Sequence, residues 1–222
     1  MDHLLLAYLS TIIKSMASEH LLKLSRLASL SDGVFAIAMT IIILNLHVPM
    51  HLPDQNLQFL LHDEIYANLF IYIGTFIILG THWIAMNFQW GLLVRLNRPY
   101  LWANIFYLMV ICVIPFSANL LGVYRHSVES IYFYAVNLLC SSLGQLLILC
   151  SAYYFNLNKS TCTPAIYRAA LLRILVAPIF YVSSLILAHW TTEGCFILLV
   201  LPTLIYMIPG KIDKYEHIGK QQ

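Results

Sequence analysis

Charge is what this chain has least of. Of its 222 residues only 10% are Asp, Glu, Lys or Arg, whereas 60% are hydrophobic, and the mean hydropathy is +0.78. A soluble domain covers itself with charged side chains at about a quarter of its composition, so this deficit excludes one and points to an integral membrane protein. No basic run is present either: the 12 Lys and Arg are scattered over short segments, so a pI near 8.2 describes no nucleic-acid surface. The five Cys include no C-x-x-C pair, and Cys112, Cys140 and Cys150 fall inside apolar stretches, which leaves neither a disulfide framework nor a metal site. H-E-x-x-H, G-x-S-x-G and a pair of intramembrane carboxylates are all missing, so no enzyme, metal or cofactor is expected. With no linker, low-complexity tract or internal repeat, residues 1–222 read as one domain.

What remains is apolar and long. A span needs about 20 mainly apolar residues, and six stretches qualify with some slack at their ends: Gly33–Val48, Ala67–Trp90, Leu101–Leu121, Ile131–Phe155, Ala169–Ala188 and Cys195–Ile208. The expected fold class is therefore all-α, a polytopic bundle of six transmembrane helices. Leu4–Ile13 is too short to span, and with Asp2 ahead of it reads as an amphipathic helix in a cytoplasmic, interfacial segment 1–25. Lys14, Lys23, Arg26, Arg95, Arg98, Lys159, Arg168, Arg173, Lys211, Lys214 and Lys220 fall to one side of the six spans and only Arg125 to the other. That asymmetry puts both termini, including the tail 210–222, in the cytoplasm. Asp54, Asp63, Glu64, Glu129 and Glu193 then collect outside, where loop acids serve solvation or concentrate cations near a mouth.

Residues 26–48, RLASLSDGVFAIAMTIIILNLHV, hold the one acidic residue that no aqueous loop or tail claims, Asp32. A carboxylate at the edge of hydrocarbon is costly and requires a reason. Counting about 100° per residue from Ile37 puts Gly33, Thr40, Ile41 and Leu44 within about 60° of it on one face, with Asp32 about 140° away. If that face lines a pore, Asp32 points into the bundle and holds the helix, with Arg26 as an ion-pair or hydrogen-bond partner. The alternative is structural: Ser31-Asp32 as an N-cap and the aliphatic face as packing surface. The residues alone leave both open.

The motif Arg26, Leu30, Ser31, Asp32, followed by Gly33, Val34, Phe35, Ala36, Ile37 and Ala38, resembles the R-x-x-x-F-S-D hallmark and the run after it in the transmembrane protein 175 family of potassium channels. That family occurs in prokaryotes and in animal endosomes and lysosomes. Further similarity lies at Trp83, at Leu101-Trp102-Ala103-Asn104, and at Pro115-Phe116 with Gly122. Two departures stand out: Leu30 replaces the hallmark Phe, and Met86-Asn87 occupies the place of a His pair common in prokaryotic members. The possible partners of the motif here are His82, Trp83, Asn87 and Asn104.

By position, the resemblance implies a homotetramer in a prokaryotic plasma membrane, with four first helices around the pore. Ile37 would close it, Thr40 would supply the hydroxyl layer, and Ile41 and Leu44 would continue the wall. No T-V-G-Y-G-like loop is present, so the implied channel conducts K⁺, its permeant ion, without a carbonyl filter; it gates by dewetting and prefers K⁺ modestly because Na⁺ sheds water less readily. A rival reading is a proton channel or proton-coupled carrier using Asp32 and a histidine. A membrane enzyme or assembly factor without a conduction path is a third.

Other residues carry plainer expectations. Gly74, Thr75, Gly80 and Thr81 read as close-packing positions, and Pro115, Pro178 and Pro202 as kinks. His82 and His189, near span ends, read as interfacial anchors; Trp102, Tyr132, Tyr134, Tyr153, Tyr154 and Trp190 suit aromatic belts.

Overall fold

Six helices account for nearly all of the chain that the computed structural model describes, residues 24–44, 46, 65–125, 127–160, 162–188 and 192–207, with the side chains at 192–194 and 196 left out. They are α1 (Leu24–Leu44), α2 (Tyr66–Gly91), α3 (Arg98–Val123), α4 (Val128–Tyr154), α5 (Pro164–Leu187) and α6 (Thr192–Met207). The first five are long and apolar enough to cross a membrane, whereas α6 has 16 residues, about 24 Å at 1.5 Å each, less than a hydrocarbon core of about 30 Å. The chain is thus a multi-pass, all-helical membrane protein with five candidate spans and a shorter sixth helix. The interfacial N-terminal segment, the acidic loop residues Asp54, Asp63 and Glu64, His189, Trp190 and the tail 210–222 lie outside the described residues.

The largest departure from the sequence reading is at α1. The apolar run begins at Gly33, yet the helix begins at Leu24, nine positions earlier. Leu24, Leu27, Ala28 and Ser31 recur at helical spacing and turn inward, so the segment is amphipathic rather than apolar and a hydropathy window passes over it. Ser31 and Asp32 consequently lie inside the helix and cap nothing; the Ser31 hydroxyl donates back to the Leu27 carbonyl at 3.0 Å.

Helix starts elsewhere follow local chemistry. Asn97 accepts from the Tyr100 amide at 2.9 Å and Pro99 follows in the first turn of α3; Thr163 accepts from the Ile166 amide at 3.4 Å with Pro164 opening α5. In both cases a side-chain oxygen satisfies an amide that the helix leaves orphaned, and proline sits where no amide is needed.

Two connections are bound to each other. The α2–α3 and α4–α5 loops meet at a single antiparallel bridge, Leu93 with Asn158, flanked by Val94 N–H to Leu157 O at 2.9 Å and Lys159 N–H to Leu92 O at 2.7 Å. Asn156, at φ 52°, makes the left-handed turn that this clasp needs, and its carbonyl accepts from Arg95 Nη2 at 3.2 Å. The clasp puts both loops at one end of the bundle, the end carrying Arg95, Arg98 and Lys159.

The core runs between α2, α3 and α4, with Tyr107, Ile111, Ile114, Leu121 and Leu138 fully buried. α1 lies against α2 and α3, where Phe35 approaches the Tyr107 ring at 6.3 Å between centroids. α6 lies against α2 and α5: a Cβ on Gly74 would stand 3.4 Å from Val200, and Ser184 and Cys195 exchange side-chain to carbonyl hydrogen bonds. The five cysteines are free thiols; Cys195 is buried in the packing, whereas Cys112 and Cys140, read as lying inside apolar spans, are exposed on the subunit surface.

The first helix and its anchors

α1 divides into two faces. Leu27, Ser31, Phe35, Ala38 and Ile42 are buried against the bundle. On the other side Leu30, Gly33, Ile37, Thr40, Ile41 and Leu44 are exposed on the surface of the subunit, Ile37 at 59% and Leu44 at 68%. Thr40 donates its proton back to Ala36 O at 2.9 Å, shared with Ile37 O at 3.0 Å. With the proton turned inward, the lone pairs of the hydroxyl point away from the helix, the orientation that a cation uses. Arg26, about 20° from Ile37 at 100° per residue, is also exposed on this side.

Asp32 does not point into the bundle as its place on the helical wheel suggested. It is exposed on the flank of α1, where Oδ1 accepts from the indole Nε1–H of Trp83 on α2 at 2.8 Å. Among the described residues this is its partner, and Arg26 is not. The wheel fixes the angle of a side chain but not which neighbour ends beside it.

The other candidate partners go elsewhere. Asn87 Nδ2 donates to the Trp83 carbonyl in its own helix at 3.2 Å, and buried Asn104 donates to the Tyr100 carbonyl at 3.1 Å. His82 is no interfacial anchor: it stands well inside α2 and is buried. Its Nδ1 lies 3.1 Å from the Tyr107 hydroxyl and its Nε2 3.3 Å from Ser141 Oγ. With Ser141 donating its own proton to Leu138 O at 2.8 Å, the neutral tautomer that suits these partners is Nε2–H, with Nε2–H donating to Ser141 and Tyr107 donating to Nδ1. The contacts link α2, α3 and α4. Gln145 joins it, donating to the His82 carbonyl at 3.3 Å. Asp32 and His82 have different partners on different sides of α2, and no hydrogen bond connects them into a relay.

Sequence reading missed Tyr107, Ser141 and Gln145; it took Tyr134 for an aromatic-belt residue, whereas Tyr134 is buried and its hydroxyl meets that of Thr75, a packing position as expected, at 2.8 Å between α2 and α4. The available signal was polar residues recurring three to four apart within apolar spans, as in Ser141 and Gln145. Arg173, counted with the segment ahead of the fifth span, is the tenth residue of α5. Among the described residues no group of three or more His, Cys, Asp or Glu is placed to hold a metal ion.

Comparison with known proteins gives consistent relationships. A family model described as endosomal/lysosomal potassium channel TMEM175 matches residues 26–115, from Arg26 through α2 to Pro115 in α3. A protein named as a potassium channel in Chryseobacterium sp. (strain P1-3) is 25% identical over 186 residues, 84% of this chain and 93% of that one. Another so named, from Streptomyces collinus, is 29% identical over 99 residues, 45% of this chain and 48% of its own length. The crystal structure of a lysosomal potassium-selective channel TMEM175 homolog from Chamaesiphon minutus superposes with a TM-score of 0.70 at 18% identity, covering 83% of this chain and 96% of that one. At that identity the likeness is one of fold.

Proposed function

We propose, from the match of residues 26–115 to the TMEM175 potassium-channel family model and the likeness to proteins named as potassium channels, that this chain is a potassium-permeable channel of a prokaryotic cell membrane with both termini in the cytoplasm. Four copies arrange their α1 helices around a shared axis. Ile37 forms the narrowest ring, Ile41 and Leu44 extend the apolar wall, and Thr40 supplies a layer of hydroxyl oxygens.

The observation that carries this reading is the exposed aliphatic face of α1 with a hydroxyl in its middle. A pore wall uses oxygen lone pairs one turn from a constriction, and Thr40, its proton bonded back to Ala36 O, offers them beside Ile37. The branched side chains at Ile37 leave a K⁺ ion partly dehydrated, and Thr40 returns some of the lost coordination. Na⁺ loses more on dehydration at the same ring, so the preference for K⁺ is real but modest. Asp32 and Trp83 fix the rotation of α1 and hold Ile37 toward the axis.

The test is K⁺ flux from liposomes carrying purified protein, with Ile37→Asn beside wild type. Wild-type flux that rises in the variant, with weaker K⁺ over Na⁺ preference, supports the proposal. No flux from a protein that runs as a monomer or dimer overturns it.

A further inference from the structure

The clasp gathers positive charge at one end of the bundle. Arg95, Arg98, Lys159 and Arg168 are all exposed there. Glu129 and Glu193 are each the second residue of their helices, α4 and α6, and so stand at the opposite end, while Asp32 lies eight residues into α1, about 12 Å from its start at 1.5 Å per residue, and is bonded to Trp83. Among the described residues no carboxylate therefore faces the clasp. Its two cations are also held in register by the backbone. Lys159 pairs with Leu92 through its amide, three residues from Arg95, about 10 Å at 3.3 Å per residue, a gap that two long side chains close onto one phosphate. The Arg95 bond to the Asn156 carbonyl at 3.2 Å uses one of about five guanidinium donors, and the Lys159 ammonium has no partner among the described residues.

Depth adds a second constraint. α2, α3 and α4 have 26, 26 and 27 residues, about 40 Å each at 1.5 Å per residue, against a hydrocarbon core of about 30 Å. Their ends, and the clasp that joins them, therefore reach the headgroup layer. Tyr153, Tyr154 and Phe155 lie directly before the clasp and are exposed, Tyr154 at 78%, as is Val94 within it. Rings beside cations suit the level at which glycerol and phosphate meet the acyl chains. We propose that the clasp binds an anionic phospholipid of the phosphatidylglycerol type, its phosphate between Arg95 and Lys159 and its upper acyl chains on Tyr154, Phe155 and Val94. The headgroup of phosphatidylcholine carries its own cation and cancels the charge that the clasp would meet; that of phosphatidylglycerol does not. A free phosphate ester uses the two cations and leaves the rings uncovered.

Native mass spectrometry of the full-length protein, titrated in micelles with phosphatidylglycerol or phosphatidylcholine, tests the assignment. Wild type binds phosphatidylglycerol more tightly, Arg95→Gln and Lys159→Gln each weaken that binding about fivefold, and the double variant weakens it about thirtyfold, the effect of one and two cations near an anionic surface. Arg168→Gln removes an exposed cation of the same end outside the clasp and is expected to change the affinity less than about twofold. Asn156→Pro keeps both cations but cannot hold φ 52°, since proline fixes φ near about −65°; it opens the clasp and weakens binding at least about fivefold. If Asn156→Pro does not fold, Arg95→Gln and Lys159→Gln beside Arg168→Gln decide the matter, all three being changes of exposed side chains. Equal binding of the two lipids by wild type, wild-type affinity in Asn156→Pro, a loss in Arg168→Gln as large as in Arg95→Gln, or equally tight binding of glycerol phosphate lacking acyl chains overturns the proposal.

Discussion

The indole of Trp83 donates to the carboxylate of Asp32 across 2.8 Å, joining α1 to α2 from positions 51 residues apart. Both side chains are on the surface of the subunit, and a single hydrogen bond of this kind contributes about 1 kcal/mol net. Its value is geometric: rotating α1 about its axis breaks it.

Trp83→Phe removes the donor and leaves Asp32 without its indole, whereas Asp32→Asn keeps an oxygen acceptor and loses only the charge. The expected order of thermal stability for purified protein is wild type, then Asp32→Asn, then Trp83→Phe, with a total spread of about 1 kcal/mol. Ion flux falls in the same order if α1 rotation governs the pore. An Asp32→Asn variant less stable than Trp83→Phe would show that the charge, not the bond, anchors the helix.

Substituting the proposed constriction acts on conduction and not on folding, because Ile37 is 59% exposed in the subunit and removes little core when changed. Ile37→Asn is expected to raise K⁺ flux by up to about tenfold, the effect of lowering a barrier by ~1.4 kcal/mol, and to bring the K⁺ to Na⁺ ratio closer to one. Parallel flux assays in K⁺ and Na⁺ gradients measure both. A lower flux with unchanged ratio would move the constriction to another residue.

How much of this was legible beforehand depended on whether the signal was local. The spans α2, α3 and α4 are continuous apolar runs and their limits were readable to within three residues. α1 was readable only in its second half, because Leu24, Leu27 and Ser31 present an inward face among polar neighbours and no window average detects a face. The wheel separated Ile37, Thr40, Ile41 and Leu44 from Asp32 correctly in angle, but angle alone did not give Trp83 as the neighbour of Asp32. His82 illustrates the same limit. Its place in α2 is local information; its burial between Tyr107 and Ser141 comes from the packing of three helices.

Tyr107→Phe tests the tautomer assigned to that histidine. Losing the hydroxyl leaves buried Nδ1 as an acceptor without a donor, a cost of about 1–3 kcal/mol, while the ring itself still fills its space. A clear drop in thermal midpoint is expected. His82→Gln in the same assay loses less, since an amide offers both a donor and an acceptor to the same two hydroxyls. If Asp32 and His82 acted as a proton relay, pH-driven flux in liposomes would disappear in both Asp32→Asn and His82→Gln; without a bond joining them, the expected result is that pH-driven flux does not follow these substitutions.

Two glycines provide a matched pair for the packing itself. A Cβ on Gly144 in α4 would lie 3.0 Å from Cδ2 of Tyr107, a ring that cannot move aside because its hydroxyl is bonded to His82. Gly144→Ala therefore separates α3 from α4 or breaks that bond, at a cost of about 1–3 kcal/mol, the range for overpacked cores. Gly33 in α1 is the contrast: a Cβ there meets nothing within 4 Å in the subunit, and alanine in a helix interior is favoured over glycine by about 1 kcal/mol. Gly33→Ala should leave the subunit fold as stable or more so. Because Gly33 shares the exposed face with Ile37, any loss of flux or of the proposed tetramer in Gly33→Ala would arise between subunits, not within one. Thermal unfolding measured beside size-exclusion and K⁺ flux separates these effects: Gly144→Ala loses stability first, and Gly33→Ala changes assembly or conduction while unfolding no earlier than wild type. Equal destabilisation by both would mean that the exposed face of α1 is buried within the subunit.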